Sequence, residues 1–334
     1  MDIRTASSAD DAALRRFYAV AFPDRAAFLG EHWRWLYRVG RFPGIEPLVL
    51  VDGNRVVGHA GAIPLTISSL GVKAPAIWYV DFSVLPELQG QGHGKALSEA
   101  WMKMCPDRVT FCNERSIRVF LKLGWKQRFD ASVCSLPIEL TGPASSRGAA
   151  VGTLGRLLNG PWRILLNLLL SSAPSLNVRP LPQDAAALAG ILADDHSREP
   201  RIVHNEDWAR WRLIDHPRSD EHLLAELNGV NAILRLFTSL GRRRAHLLHV
   251  GPGPDEARSA MVAAFARWAL EQGADDAWMA TNDAILLASA SRYLPRRHSL
   301  RFAWHSDATA VDASLSKELS TQGLDSDHDL MFPC

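Results

Sequence analysis

Cysteine is scarce: Cys105, Cys112, Cys134 and Cys334 are the four in 334 residues, and no two of them stand in a CxxC pair. That density gives neither a disulfide framework nor a zinc-type cysteine pair, and a reduced, cytosolic setting is expected. Charge of one sign is missing as well, since 37 Lys and Arg stand against 36 Asp and Glu. A net charge of +1 offers no overall field for DNA, RNA or an anionic membrane, so no nucleic-acid partner is expected. Long apolar runs are absent. The leucine-rich stretch after Arg163 stays uncharged for about 14 residues, short of the ~20 that a bilayer span needs. The opening "MDIRTASSADDAALRR" lacks the basic and apolar regions of a secretory leader, so a cytoplasmic location is expected.

What is present reads as ordinary globular material, 47% hydrophobic and 22% charged, enough for about two domains of ~150 residues each. Residues 1–140 alternate element types. "DDAALRRFYAVAF" carries Ala13, Leu14, Phe17, Tyr18 and Phe22 at helical spacing, and "EHWRWLYRVG" continues as a second helix with Trp33, Leu36 and Tyr37 as core. "PLVLVDGNRVVGHAGAIPLTIS" predicts a hairpin turning at Asp52-Gly53-Asn54. "APAIWYVDFSV" predicts a strand, "GKALSEAWMKM" a helix, "RVTFCN" a strand, and "SIRVFLKLG" a helix ending at Gly124. Residues 141–177 combine a small-residue linker with an apolar helix expected to pack between two domains; contact with a membrane surface through residues 154–170 is the alternative.

Residues 178–310 echo the first block. Ile3 falls on Val178, Arg4 on Arg179 and Trp33 on Trp208 at an offset of 175; "VTFCN" falls on "WMATN" at an offset of 169. The shared order predicts an internal duplication. At the later offset Arg258, Met261 and Ala263 replace Gln89, Gly92 and Gly94, so the second copy is expected to lack whatever those glycines admit to the backbone. Residues 311–334 are expected to be a loosely ordered polar tail. Its "DSDHD" is read as solvated acid, and no metal is expected.

The run Gln89-Gly90-Gln91-Gly92-His93-Gly94-Lys95 lies between a strand ending Val84-Leu85-Pro86 and an amphipathic helix. A Walker A loop would need glycine at 89 and Ser or Thr at 96, where Gln89 and Ala96 stand. A dinucleotide fingerprint would need glycine where Lys95 stands. Glycines that admit a ligand to the backbone, followed by a helix with unpaired N–H groups, suit a pyrophosphate. Lys95 and His93 stand ready to add phosphate contacts, or face solvent.

The pattern Q/R-x-x-G-x-G/A, met by Gln89, Gly92 and Gly94, resembles the acyl-CoA-binding motif of the GNAT superfamily of N-acyltransferases. The downstream "NERSIRVFLKLGW" resembles that superfamily's strand–Asn–helix–Leu-Gly-aromatic segment. The resemblance implies an α/β fold of two tandem GNAT-like domains, each a mixed, mainly antiparallel sheet flanked by helices. It implies acetyl-CoA or another acyl-CoA as co-substrate, and a small-molecule or protein amine as acceptor. Cofactor contacts fall on Val84, Gln89, Gly90, Gln91, Gly92, His93, Gly94, Lys95 and Asn113; Asn113 is equally suited to cap the next helix.

Along "WYVDFSV" the side chains of Tyr79, Asp81 and Ser83 are expected to share a polar face, with Trp78, Val80, Phe82 and Val84 on the other. Asp81 is then the candidate base, directly or through water, or else makes a structural hydrogen bond. Ser83 is expected to contact the acyl group through its backbone, and His59 is a further candidate base. Where many family members carry a tyrosine acid, this chain has Phe120, so the thiolate leaves unaided, Tyr79 or water substitutes, or activity is lost. Arg34, Arg38 and Arg41 point to an anionic acceptor. A non-catalytic acyl-CoA sensor on the same fold is the alternative function.

Overall fold

In the first half, apolar residues at helical spacing bury one face each of two helices, α1 (Asp11–Ala21) and α2 (Ala26–Leu36). Leu14, Phe17, Tyr18, Leu29, Trp33, Leu36 and Tyr37 are buried there; full burial of a large apolar side chain stabilises by about 1.5–3 kcal/mol. The computed structural model describes residues 1–69, 71–112, 114–140, 149–193, 200–307 and 319–325. The two helices cover an antiparallel run of β1 (Asp2–Thr5), β2 (Leu48–Asp52), β3 (Arg55–Ser69) and β4 (Val72–Val84). The predicted hairpin turns at Gly53-Asn54, between the paired Asp52 and Arg55. After α3 (His93–Met102), strand β5 (Asp107–Cys112) runs parallel to β4, paired only at Ile77–Arg108 and Trp78–Val109. Beyond that point the two strands diverge. Helix α4 (Glu114–Lys122) and strand β6 (Lys126–Pro137) follow.

The second half repeats the plan. Strands β7 (Asn177–Pro180), β9 (His222–Leu227), β10 (Val230–Ser239) and β11 (Arg242–Val250) are antiparallel neighbours, and β12 (Asp276–Thr281) is parallel to β11. Between them lie α6 (Ala185–Leu192), the short β8 (Arg201–Ile202), α7 (Glu206–Ala209) with a π turn over Arg210–Ile214, and α8 (Asp255–Glu271). Helix α9 (Ala284–Tyr293) and strand β13 (Arg296–Ser306) close it. Trp35 and Trp211 mark the repeat: each indole N–H donates to the other's carbonyl, at 3.1 and 2.9 Å.

The two halves, 1–140 and 178–310, are joined by strand pairing. Strand β13 pairs with β5, strand β6 pairs with β12, and β13 and β6 meet antiparallel in the middle of one 13-stranded sheet. Each half therefore covers the strand edge that the other would leave exposed. The fold is α/β, with a mixed and mostly antiparallel sheet flanked by helices.

One expectation for the connecting segments needs correction, that of the tail. Helix α5 (Ala149–Leu170) packs on α8 of the second half and reaches the end of β6 in the first. It buries Leu166 and Leu170, and Trp162 donates to the Pro137 carbonyl at 2.8 Å. Leu154, Leu157, Leu158, Ile164, Leu165, Leu168 and Leu169 are exposed on it. No helix among the described residues is long and apolar enough to cross a membrane. Within the supposedly solvated tail, Leu319, Thr321, Leu324 and Asp325 are buried, because residues 319–325 thread into the sheet. The rest of the tail lies outside the described residues.

Candidate functional site

Strand β4 ends at Val84, a single 3-10 turn spans Pro86–Leu88, and α3 begins at His93. Gly90 (φ 79) and Gly92 (φ 87) take the left-handed conformation that glycine adopts without a Cβ penalty. A Cβ on either would meet nothing within 4 Å, so the space beside the turn is open. Two side chains brace it from behind: Gln89 Nε2 donates to the Val84 carbonyl at 2.9 Å, and Gln91 Nε2 to the Glu87 carbonyl at 3.0 Å. No described residue accepts from the main-chain N–H groups of Gly90 to Lys95. Six consecutive donors without a described acceptor, at a helix start that has no acidic residue in its first turn, offer the chemistry that an anion needs. A pyrophosphate fits that chemistry. His93 is half-buried; Lys95 is exposed, with its ammonium 3.7 Å from Glu99. Asn113 lies outside the described residues.

Just upstream, β4 is bulged. His59 pairs with Ser83 and Gly61 with Val80, so Asp81 and Phe82 together oppose Ala60. Asp81 sits at φ 49, a left-handed conformation that costs a non-glycine residue about 1–2 kcal/mol. Three bonds hold it there. Arg25 Nη1 donates to Oδ1 at 2.5 Å, the Tyr37 hydroxyl to Oδ2 at 2.8 Å, and His59 Nδ1–H to the Asp81 carbonyl at 2.8 Å. The carboxylate is 2% exposed while the residue as a whole is part-buried, so the solvent access that Asp81 keeps is through its main chain.

The bulge breaks the alternation expected along "WYVDFSV". Val80 and Asp81 both turn toward Tyr37. Ser83, paired with His59, shares the side of α1 and α2. Tyr79 faces α3 and α4 instead, stacked edge-on against Trp101 and Phe120, with its hydroxyl 3.0 Å from Ser98 Oγ. The common face of Tyr79, Asp81 and Ser83 therefore does not form. Arg25 joins Asp81 and His59 here without having been singled out in the sequence, and Tyr18 and Tyr37, read there only from their helical spacing, join them through their hydroxyls. A lone aspartate inside an apolar strand was the available signal that a buried cation must exist to meet it.

Burial dominates the protonation states. His59 is fully buried, which pushes its pKa down; its Nδ1–H donates to Asp81, and its Nε2 accepts from Tyr18 at 3.2 Å. It is neutral at pH 7. Burial raises Tyr18, Tyr37 and Tyr79 above the ordinary phenol value. The arginines expected to greet an anionic acceptor are committed elsewhere: Arg34 pairs with Asp11, and Arg38 and Arg41 both pair with Asp207.

A pH dependence of stability follows. His59, His216 and His222 are all held neutral by burial. Below about pH 6.5 the unfolded chain binds protons that the folded chain refuses, so stability falls with pH by up to ~1.4 kcal/mol per histidine per unit. Urea unfolding at pH 5.5 is expected to have a clearly lower midpoint than at pH 8; equal midpoints would contradict the buried assignments.

The second half keeps the bulge, at Leu248, where Ile233 pairs with His249 and Leu234 with Leu247. Its glycine turn is gone. Four residues, Gly251–Pro254, join β11 to α8, where eight, Leu85–Gly92, join β4 to α3. Helix α8 opens with Asp255 and Glu256, which repel an anion at the helix start. Val84 thus corresponds to Val250, and the alignment of Gln89, Gly92 and Gly94 with Arg258, Met261 and Ala263 is corrected: those three lie inside α8, buried. Arg258 pairs with Asp283 at 2.5 Å and donates to the Gly251 carbonyl at 3.3 Å.

Residues 11–125 match the model of the acetyltransferase (GNAT) family. No curated protein matches the sequence. Among solved structures, a conserved protein of unknown function from Enterococcus faecalis V583, described as a probable N-acyltransferase, aligns over 91% of this chain and 72% of its own, at 9% identity and TM-score 0.58. A GCN5-related N-acetyltransferase from Kribbella flavida aligns over 94% and 73%, at 15% identity and TM-score 0.57. A putative acetyltransferase from Pyrococcus horikoshii aligns over 92% and 89%, at 11% identity and TM-score 0.54. At these identities the likeness is one of fold. With the family match, the bulged and diverging β4 and the open turn before α3, residues 11–125 are a GNAT-family acetyltransferase domain.

Proposed function

We propose that the chain moves an acyl group, most simply acetyl, from a CoA thioester to an amine by direct attack, at a site in the first half. The observation that carries this reading is the run of unpartnered N–H groups from Gly90 to Lys95 beside the bulge. Those donors grip the pyrophosphate. The diverging ends of β4 and β5 take the extended arm of the coenzyme, with Val84 at the mouth. The exposed main chain at Asp81–Ser83 meets the thioester carbonyl. The amine nitrogen attacks the carbonyl carbon, the C–S bond breaks, and the sulfur leaves as thiolate. A thiol pKa of ~8.5 makes that departure easy without an acid, which suits a site where Phe120 stands in the tyrosine's place and Tyr79 is enclosed. The amine's proton passes to water on the α1–α2 side, because both Asp81 oxygens already accept hydrogen bonds. Asp81 is a positioning residue that holds the bulge, and His59 and Tyr37 support it.

A second reading, a non-catalytic acyl-CoA sensor, draws on Phe120. Calorimetry with acetyl-CoA followed by a thiol-release assay over an amine panel separates the two. Binding with release supports the transferase, binding without release supports the sensor, and no binding removes both.

A further inference from the structure

The sheet of the second half opens as the first does. Strands β11 and β12 stay paired only as far as Leu247 and Met279, and Leu248 bulges just beyond. The space between their diverging ends is filled by Leu319–Asp325. Thr281 bridges antiparallel to Gln322. Asn282 Nδ2 donates to the Leu319 carbonyl at 2.7 Å, and its Oδ1 accepts from the Thr321 N–H at 2.9 Å.

Gln322 makes the telling contact. Its Oε1 accepts from the Val250 N–H at 2.7 Å, and its Nε2 donates to the Val250 carbonyl at 3.0 Å. One side-chain amide thereby satisfies both main-chain groups of one strand residue, as an amide in an extended ligand does. Gly323 passes so close that a Cβ there would lie 2.9 Å from His246 Nε2 and 3.3 Å from the Leu248 carbonyl. Downstream, Asp325 Oδ1 and His204 Nε2 are 2.5 Å apart, both buried. Upstream, the Ser320 N–H donates to the Pro200 carbonyl at 2.9 Å, and Ser320 bridges to Arg201 of β8, which pairs with β3 of the first half.

We infer that the second half is a binding groove for an extended, amide-bearing chain, and that its resident ligand is this protein's own Leu319–Asp325. Val250 ends the bulged strand as Val84 does, so the segment sits where the first half takes the arm of the coenzyme; that comparison alone rests on the proposed function. With the phosphate turn cut to Gly251–Pro254, the groove keeps the part of the site that recognises amides and loses the part that recognises phosphate. The glutamine carboxamide supplies the missing amide, and the link through Ser320 to β8 ties the filled groove to the catalytic half.

The test uses the full chain with Gly323→Val, which expels the segment, and a fluorescent synthetic peptide of residues 317–327. The variant is expected to bind the peptide at least tenfold tighter than the wild type, whose groove is filled. The same peptide carrying Gln322→Ala is expected to bind at least tenfold more weakly. Absence of binding to the variant, equal binding by the wild type, or undiminished binding of the altered peptide would overturn the inference. If Gly323→Val does not fold, Gln322→Ala in the full chain takes its place, with faster hydrogen exchange at Val250 and Thr321 as the expected result and unchanged exchange as the refuting one. Titration of the wild type with acetyl-CoA reports on the first half separately, so loss of the proposed function leaves the peptide result standing.

Discussion

Gly92→Met is expected to abolish coenzyme binding while leaving the chain folded. Gly92 lies at φ 87 with open space around its missing Cβ. A methionine there places its side chain where the pyrophosphate would lie and strains the turn that aims the Gly90–Lys95 donors. Hydrogen bonds to a charged partner contribute about 1.5–3 kcal/mol each, so losing two lowers affinity by roughly 100-fold or more. The stability cost is limited to the ~1–2 kcal/mol of the left-handed conformation, because the position packs against nothing. Calorimetry with acetyl-CoA, alongside thermal unfolding, reads both quantities. Unchanged affinity in a folded variant would remove the anion site from the mechanism.

Asp81→Asn is expected to lower turnover at least 100-fold and to destabilise the protein, with coenzyme affinity nearly unchanged. Asparagine tolerates the same φ but removes the Asp81 charge that faces Arg25, whose side chain is 11% exposed; breaking a buried pair typically costs ~3–5 kcal/mol. The companion variant Arg25→Met distinguishes positioning from proton transfer. If Asp81 holds the bulge, Arg25→Met also loses most of its turnover. If Asp81 is the base, removing the cation frees the carboxylate, and turnover is kept or raised. Kinetics and circular dichroism on the two variants decide between them.

The turn before α3 was legible in the sequence because its determinants are local: positive-φ glycines at 90 and 92, bracing glutamines at 89 and 91, and a helix that starts at His93. So was the order of strands, which hydrophobic spacing and the Gly53-Asn54 turn mark directly. The surroundings of Asp81 were not legible. Strict alternation placed Tyr79 and Asp81 on one face, and only the bulge, set by the register of β3 on β4, moves them apart. Arg25 and Tyr37 reach Asp81 from 56 and 44 residues away in the chain, and no local pattern encodes such contacts. The pairing of the arginines at 34, 38 and 41 was hidden for the same reason: their partners Asp11 and Asp207 are distant in sequence or in the other half. The tail read as solvent-facing because Thr321, Gln322 and Asp325 are polar, yet each is matched by a specific acceptor or donor inside the sheet.

The crossing of β6 and β13 has a consequence for how the molecule fails. Because β13 borders β5, and β5 borders the bulged β4, fraying at the trailing end of the chain disturbs the proposed site at the leading end. Heat inactivation and melting should therefore follow one curve, with no temperature at which a surviving leading lobe works alone.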